Sequence, residues 1–79
     1  MTRLYVDFHN TNEEGAVRLN TIGSIKDLNL QGIALEDGLV VHLYSEDFEV
    51  TGTVKFAAGE RSWAAYFNWD DLRSTNAKR

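Results

Sequence analysis

Apolar and polar residues alternate with a period of two along most of this chain. That period places successive side chains on opposite faces of a β-strand, so it predicts strands with one buried face. Polar stretches that contain glycine separate the alternating segments and are typical of turns. Five segments follow the pattern: Leu4–Phe8, Ala16–Asn20, Leu39–Ser45, Phe48–Phe56 and Trp63–Trp69.

One segment between the second and third strands breaks the alternation and predicts a short helix over Ile25–Gln31. Ser24 is the expected N-cap, and Asp27, three residues later, stands where a capping box places its acidic residue. Ile25 and Leu28, three positions apart, share one face of this helix. Gly32 follows the segment and supplies the expected C-terminal stop.

Two further positions predict local departures from regular structure. Gly52 stands on the apolar face of the fourth strand, where a side chain is expected, so we predict a bulge or a sharp bend there. Asn68 is placed to cap a turn through Trp69–Arg73. Asp70 and Asp71 fall in the first turn of that segment, where the helix dipole favours negative charge.

Five short strands at roughly ten-residue spacing, with one helical insertion, predict an all-β fold that is mostly antiparallel. For a chain of 79 residues, closure into a small five-stranded SH3-like barrel would remove the exposed strand edges. Trp63 and Phe67 share the inward parity and are expected to pack in the core. We expect one barrel domain over residues 1–73 and a flexible basic tail over residues 74–79.

Charge and cysteine content narrow the possible classes of protein. The chain has 12 acidic residues, 8 basic residues and no cysteine. Three of the basic residues follow Leu72, so residues 1–72 carry 5 basic and 12 acidic groups, a net charge of −7. Such a body repels nucleic-acid phosphates. No segment resembles a membrane span or a signal peptide, and we expect a cytoplasmic protein that binds no membrane.

The sequence offers no pattern for catalysis, metal binding or cofactor binding. The serines lack a Gly-x-Ser-x-Gly context, and no glycine-rich phosphate loop occurs. His9 and His42 are far apart in a chain without cysteine, which does not match zinc-ligand spacing. Asp70 and Asp71 are adjacent, so their side chains point in different directions and would not flank one scissile bond. We expect no enzyme activity, no cofactor and no metal.

Three segments of the chain carry short motifs: GAVRLNTIGS, LEDGLVVHLYSED and WAAYFNWDDLR. The residues of these motifs are Gly15, Val17, Leu19, Asn20, Gly38, Leu43, Tyr44, Trp63, Ala65, Trp69 and Asp70. The segments resemble small bacterial proteins of uncharacterised function, and the strand pattern is similar to SH3-like and Tudor-like barrels. This resemblance implies a binding module and supplies no catalytic residues.

Aromatic residues on the outward parity give a candidate interface. Tyr5, Tyr44 and Tyr66 lie on the strand faces opposite the predicted core, and Trp69 and Asp70 stand at the end of the last strand. Exposed aromatic residues are common anchors at protein interfaces. We therefore predict a non-catalytic interaction module that uses these five residues to bind an unknown protein partner or a second copy of itself.

Two other classes of function stay open at this point. A barrel that binds single-stranded nucleic acid would stack bases on the same tyrosines and use Arg18 and Lys55 for the backbone. The charge of the body argues against that alternative. An enzyme or small-ligand binder would need a pocket of about 300 Å³, which a chain this short rarely encloses.

Overall fold

The chain folds into one six-stranded sheet with one α-helix, as the computed structural model of residues 2–75 shows. The small, mostly β fold with one helix that the sequence predicts is confirmed. The elements in chain order are β1 (Thr2–Tyr5), β2 (Val17–Arg18), α1 (Ile22–Gln31), β3 (Val40–Tyr44), β4 (Phe48–Ala57), β5 (Ser62–Tyr66), a 3-10 turn (Trp69–Asp71) and β6 (Arg73–Ser74).

The strands lie in the order β1-β3-β4-β5-β2, and β6 pairs with the start of β4. β3, β4 and β5 form an antiparallel meander, and β2 is antiparallel to β5. β1 is instead parallel to β3. A parallel pair needs a crossover connection, and here that connection contains α1.

Within residues 2–75 the sheet does not close into a barrel. β1 and β2 lie at opposite ends of the strand order, and one isolated bridge, between Thr11 and Val17, joins the loop after β1 to β2. The free edge of β1 is covered by α1 rather than by another strand. In place of the expected small five-stranded, partly closed SH3-like barrel, the described residues form an open sheet with a helix along one edge.

The hydrophobic core lies on one face of the sheet, and its strand residues follow the predicted alternation. Trp63 and Phe67 pack against this core and are partly buried, which agrees with their inward parity. From α1, Leu28 packs against the same core. The buried core residues are Leu4, Val6, Phe8, Val17, Leu19, Val41, Leu43, Val50, Val54 and Ala65.

β4 pairs continuously with β3 through Gly52, so the bulge predicted there is absent. Val41 pairs with Gly52, and the ladder continues on both sides of that pair. A Cβ atom on Gly52 would lie 2.9 Å from Cδ1 of Leu43 and 3.1 Å from the carbonyl oxygen of Tyr66. The glycine is needed because a neighbouring side chain and a neighbouring backbone approach it closely.

α1 begins three residues before the predicted start and has a different N-cap. The side chain of Thr21 accepts a hydrogen bond from the backbone N of Ser24 at 3.2 Å, so Thr21 is the cap. Ser24 is fully buried inside the first turn, and Asp27 takes no part in capping. Gly32 ends the helix in the left-handed conformation, with φ 64°, as predicted.

After β5 the chain forms the predicted capped turn and then adds a short strand, β6, to the sheet. The side chain of Asn68 accepts from the backbone N of Asp70 at 2.9 Å, which confirms the predicted cap. The turn covers Trp69–Asp71 and is shorter than predicted, because Arg73 belongs to β6. Ser74 pairs with β4, and Thr75 bonds to the turn before β4. The rest of the expected tail, residues 76–79, lies outside the described residues.

Candidate functional site

α1 meets the outer edge of β1 through polar side chains. Ser24, Asp27 and Gln31 stand three and four residues apart, so they share one face of the helix. Ser24 is fully buried, and Asp27 is half-buried. The polar face of α1 therefore points at the sheet.

These side chains satisfy the backbone groups that β1 leaves unpaired at its edge. The backbone N of Tyr5 donates to Oδ2 of Asp27 at 2.8 Å, and Oγ of Ser24 donates to the carbonyl of Tyr5 at 2.6 Å. Nε2 of Gln31 donates to the carbonyl of Arg3 at 2.6 Å, and the backbone N of Arg3 donates to Oε1 of Gln31 at 3.4 Å. An edge strand normally presents such groups to solvent or to another strand. Here α1 takes the place of that strand.

The opposite face of α1 carries three exposed apolar side chains, and we call Ile22, Ile25 and Leu30 the α1 outer face. Their side chains are 79%, 48% and 85% exposed. Leu30 and Ile22 are the most exposed large apolar residues in the part of the chain that the structure describes. Lys26 is also exposed and lies between these two in one row at a spacing of four. A surface helix normally turns its apolar residues to the core; in α1 Leu28 does so, whereas these three residues do not.

The structure brings together two of the tyrosines that the sequence singled out. The rings of Tyr5 and Tyr44 meet edge to face, with centroids 5.6 Å apart. The hydroxyl of Tyr44 donates to Oδ2 of Asp27 at 2.8 Å, and the hydroxyl of Tyr5 donates to Glu46 at 3.0 Å. The guanidinium of Arg3 lies 4.3 Å from the centroid of the Tyr44 ring. This network ties α1 to β1 and β3.

Hydrogen bonds to carboxylates raise the pKa of both phenols. The bond to Asp27 raises the pKa of Tyr44, and the bond to Glu46 raises the pKa of Tyr5. A phenolate beside a carboxylate is unfavourable, because two negative charges would then face each other. Both phenols therefore stay protonated and keep donating through neutral and moderately alkaline pH.

Tyr66 belongs to a different part of the sheet from the other two tyrosines. Tyr66 in β5 pairs with Thr53 in β4, and Thr53 pairs with Val40 in β3. Tyr44 lies four residues further along β3 than Val40. The hydroxyl of Tyr66 donates to Glu14, which raises the pKa of the phenol. The three tyrosines therefore share a parity but do not form one patch, because the register of the strands separates them.

Tyr66 lines an open groove of about 550 Å³ between the loop before β2 and the β4–β5 hairpin. One charged pair lies at this groove. Arg18 donates two hydrogen bonds to Glu60, at 2.9 and 2.8 Å, which lowers the pKa of that carboxyl. The ammonium of Lys55 lies 5.6 Å from the centroid of the Tyr66 ring.

Trp69 and Asp70 lie in the 3-10 turn after β5. Trp69 is 41% exposed, and its Nε1 donates to the carbonyl of Gly15 at 2.9 Å. Its ring contacts the rings of Phe8 and Phe67, with centroids 6.3 and 4.7 Å away. Asp70 is exposed. Trp69 therefore covers the rim of the core and holds the loop at Gly15.

The described residues hold no group of three or more histidine, cysteine, aspartate or glutamate side chains that could bind a metal ion. His42 contacts Glu49, with Nε2 and Oε1 3.0 Å apart. Over residues 2–75 the helices are also too short or too polar to cross a bilayer.

Sequence reasoning missed the α1 outer face, although its signal is visible in the sequence. Ser24, Asp27 and Gln31 repeat at helical spacing, and Ile22 and Leu30 fall on the other side. The pattern alone does not say which side meets the protein. The usual rule puts the apolar side inward, and in this fold that rule fails.

No protein-family model, no curated protein and no solved structure matches this chain. The function is therefore inferred from the geometry of the described residues.

Proposed function

We propose that this protein is a non-catalytic protein–protein interaction module and that the α1 outer face is its contact surface. The observation that carries the proposal is the orientation of α1, with its polar side on β1 and its apolar side in water. Fully burying one aliphatic side chain contributes about 1.5–3 kcal/mol. A partner that covers Ile22, Ile25 and Leu30 would therefore gain a substantial part of its binding free energy there.

The chemistry of this face favours an apolar partner surface that carries an acidic group. Ile22 and Leu30 flank Lys26, whose ammonium is the positive charge of the row. The aliphatic stem of a lysine packs along apolar surface while its charge stays in water. An amphipathic helix with an acidic residue beside its apolar stripe would fit this arrangement.

In this proposal Tyr5 and Tyr44 act as supports for α1 rather than as contacts with the partner. Both bind Asp27, Tyr5 through its backbone N and Tyr44 through its hydroxyl. These bonds hold α1 in one position, and a pre-organised surface loses less entropy on binding. Tyr66, Trp69 and Asp70 lie outside α1, and partner binding by them stays a sequence-based prediction.

The alternative of single-stranded nucleic-acid binding has less support. Arg18 is engaged by Glu60 and Asn10, and Lys55 lies against the Tyr66 ring. Stacking proteins need free aromatic faces beside free cations. The basic groups that would serve this function already have partners inside the molecule.

The likeness to SH3-like barrels and the cytoplasmic location stay sequence-based predictions. Such barrels serve mostly as binding modules, so the analogy agrees in class with an interaction function. Fold-level likeness alone does not establish function, and the proposal rests on α1 instead.

A comparison of three immobilised baits tests the proposal. The baits are the native chain, the double variant Ile22→Gln/Leu30→Gln and the control Thr51→Gln, which changes an exposed polar position in β4. Lysate from cells that produce the protein is passed over each bait, and the retained proteins are quantified by mass spectrometry. We expect the same partner on the native and control baits and its loss, by about tenfold or more, from the double variant. Equal retention on all three baits, or no retention above empty resin, would contradict the proposal.

A further inference from the structure

The edge of β1 beneath α1 has the hydrogen-bonding geometry of an unpaired strand. The backbone groups of Arg3 and Tyr5 point toward α1, whereas the backbone N of Val6 donates to β3 through the carbonyl of Tyr44. Alternate residues of a strand bond to opposite neighbours in this way. The four groups that α1 satisfies with side chains are the groups that a further strand would satisfy with its backbone.

α1 is held on this edge mainly by side-chain hydrogen bonds and by one core residue. It contains ten residues, a length at which isolated helices are marginal in water, and it includes Gly23 and Asn29, which are poor helix formers. Leu28 is its contribution to the core packing. Each hydrogen bond to β1 contributes little net free energy, because water replaces it when α1 leaves. The docked helix also keeps Ile22 and Leu30 in water.

The sequence of β1 and its extension complements itself. In an antiparallel pair of two copies centred on Tyr5, Arg3 of each copy lies opposite Asp7 of the other, and Leu4 lies opposite Val6. Cross-strand pairs of opposite charge stabilise a sheet, and like charges in the same positions destabilise it. A two-fold axis through the Tyr5 pair repeats both contacts, as a closed dimer requires.

This register uses the backbone groups of β1 that point away from β3 in the structure. Arg3, Tyr5 and Asp7 alternate along the strand, and directly opposed residues of this parity form the hydrogen-bonded pairs of an antiparallel ladder. The carbonyl of Asp7 already accepts from the backbone N of Asn10 at 2.9 Å, so the chain turns at Asp7 and the backbone bonds of the pairing centre on Tyr5.

We propose that β1 pairs antiparallel with β1 of a second copy when α1 leaves its edge, and that this pairing joins two sheets into one. This inference goes beyond the proposed function, because it concerns the β1 edge under α1 and not the α1 outer face. The docked helix protects the edge, and the fraction of molecules with α1 undocked sets the apparent affinity of the dimer.

Sedimentation equilibrium over a wide concentration range tests this pairing with four variants. Asp27→Ala/Gln31→Ala removes bonds that hold α1 on β1. We therefore expect this variant to dimerise at least about tenfold more tightly than the native chain. Arg3→Asp sets like charges opposite each other, so we expect about fivefold weaker association. Arg3→Asp/Asp7→Arg restores opposite charges and is expected to return to the native affinity. Ile22→Gln/Leu30→Gln, which leaves the β1 edge intact, is expected to keep the dimer.

Two further readouts keep these variants interpretable. Oδ1 of Asp7 accepts from the backbone N of His9 at 2.9 Å, so the unfolding free energy of each variant is measured first and only folded variants are compared. Amide exchange at Arg3 and Tyr5 is expected to slow as the dimer forms.

Three results would overturn the β1 pairing. The first is a monomer at all concentrations in both the native chain and Asp27→Ala/Gln31→Ala. The second is a dimer whose affinity is the same in the native chain, in Arg3→Asp and in Arg3→Asp/Asp7→Arg. The third is a dimer that Ile22→Gln/Leu30→Gln abolishes, which would place the contact on the α1 outer face instead. The bait comparison measures binding of a foreign protein, and sedimentation measures pairing of the chain with itself. Either proposal can therefore fail while the other stands.

Discussion

At the scale of single residues, Asp27 joins the helix to two strands. Its Oδ2 accepts from the backbone N of Tyr5 and from the hydroxyl of Tyr44, both at 2.8 Å. Asp27→Ala would leave a strand N–H and a phenol without their acceptor. We expect the free energy of unfolding to fall by about 2 kcal/mol. Denaturant unfolding checks this value, with Asn29→Ala on the exposed side of α1 as the control that changes it by less than about 0.5 kcal/mol. Equal losses in the two variants would contradict this role of Asp27.

The same carboxylate sets the titration of Tyr44. The hydrogen bond from the Tyr44 hydroxyl to Asp27 raises the pKa of Tyr44 above its ordinary value of 10.0. Because the folded pKa exceeds the unfolded value, the stabilisation is complete below about pH 10 and is lost as pH rises through the folded pKa. We expect Asp27→Asn to lower the pKa of Tyr44 toward its ordinary value. In an NMR titration of labelled tyrosines, Tyr5 is the internal control, because Glu46 raises its pKa. A parallel fall in both phenols, or in neither, would contradict the assignment.

Gly52 gives a second test at this scale. The close approach of Leu43 and Tyr66 leaves no room for a Cβ atom. We expect Gly52→Ala to lower the free energy of unfolding by about 1–3 kcal/mol. Gly59→Ala is the matched control, because nothing lies within 4 Å of a Cβ atom there and the backbone is not left-handed. Calorimetric melting of the two variants separates a steric cause from a general loss of glycine, which would lower both melting temperatures equally.

At the scale of elements, the position of α1 depends on a close contact with a ring. A Cβ atom on Gly23 would lie 2.4 Å from Cδ1 of Tyr5. Gly23→Ala should strengthen the isolated helix by up to about 1 kcal/mol, yet we expect the whole protein to lose about 1–2 kcal/mol because the helix is pushed off β1. Faster amide exchange at Arg3 and Tyr5 would accompany that loss. A gain in stability with unchanged exchange would show that the contact does not hold α1 in place.

The positions of the strands could be predicted from the sequence, whereas their neighbours could not. Alternation of side chains is a local property, so it locates β3, β4 and β5 well. It carries no information about strand direction, and the parallel pairing of β1 with β3 therefore escaped prediction. The orientation of α1 escaped for a related reason. The backbone groups of Arg3 and Tyr5 that attract its polar side exist as an edge only after the sheet has formed.

The candidate site was predictable to the same extent. Parity alone identified Tyr5 and Tyr44 as outward residues, and the structure joins their rings. Tyr66 has the same parity but lies elsewhere, because strand register decides which outward residues meet. Trp69 was placed near the surface by the end of its strand, and the turn after β5 leaves it 41% exposed.

At the scale of the whole molecule, the two proposals are linked through α1. A chain of 79 residues buries a modest share of its surface, so its stability is small and each element contributes a large part of it. A partner that binds the α1 outer face while α1 is docked stabilises the docked form. By mass action that partner would reduce pairing through β1, and pairing through β1 would in turn lower the affinity of the α1 outer face for the partner.

The central claim is that α1 turns Ser24, Asp27 and Gln31 to β1 and Leu28 to the core, and leaves the α1 outer face in water. The free energy of unfolding of Leu30→Gln and of Leu28→Gln tests it most directly, since both variants make the same chemical change in one helix. Leu30 is 85% exposed and Leu28 packs against the core. We expect Leu30→Gln to stay within about 0.5 kcal/mol of the native value and Leu28→Gln to lose about 2 kcal/mol or more. A large loss in Leu30→Gln with little change in Leu28→Gln would contradict the orientation of α1.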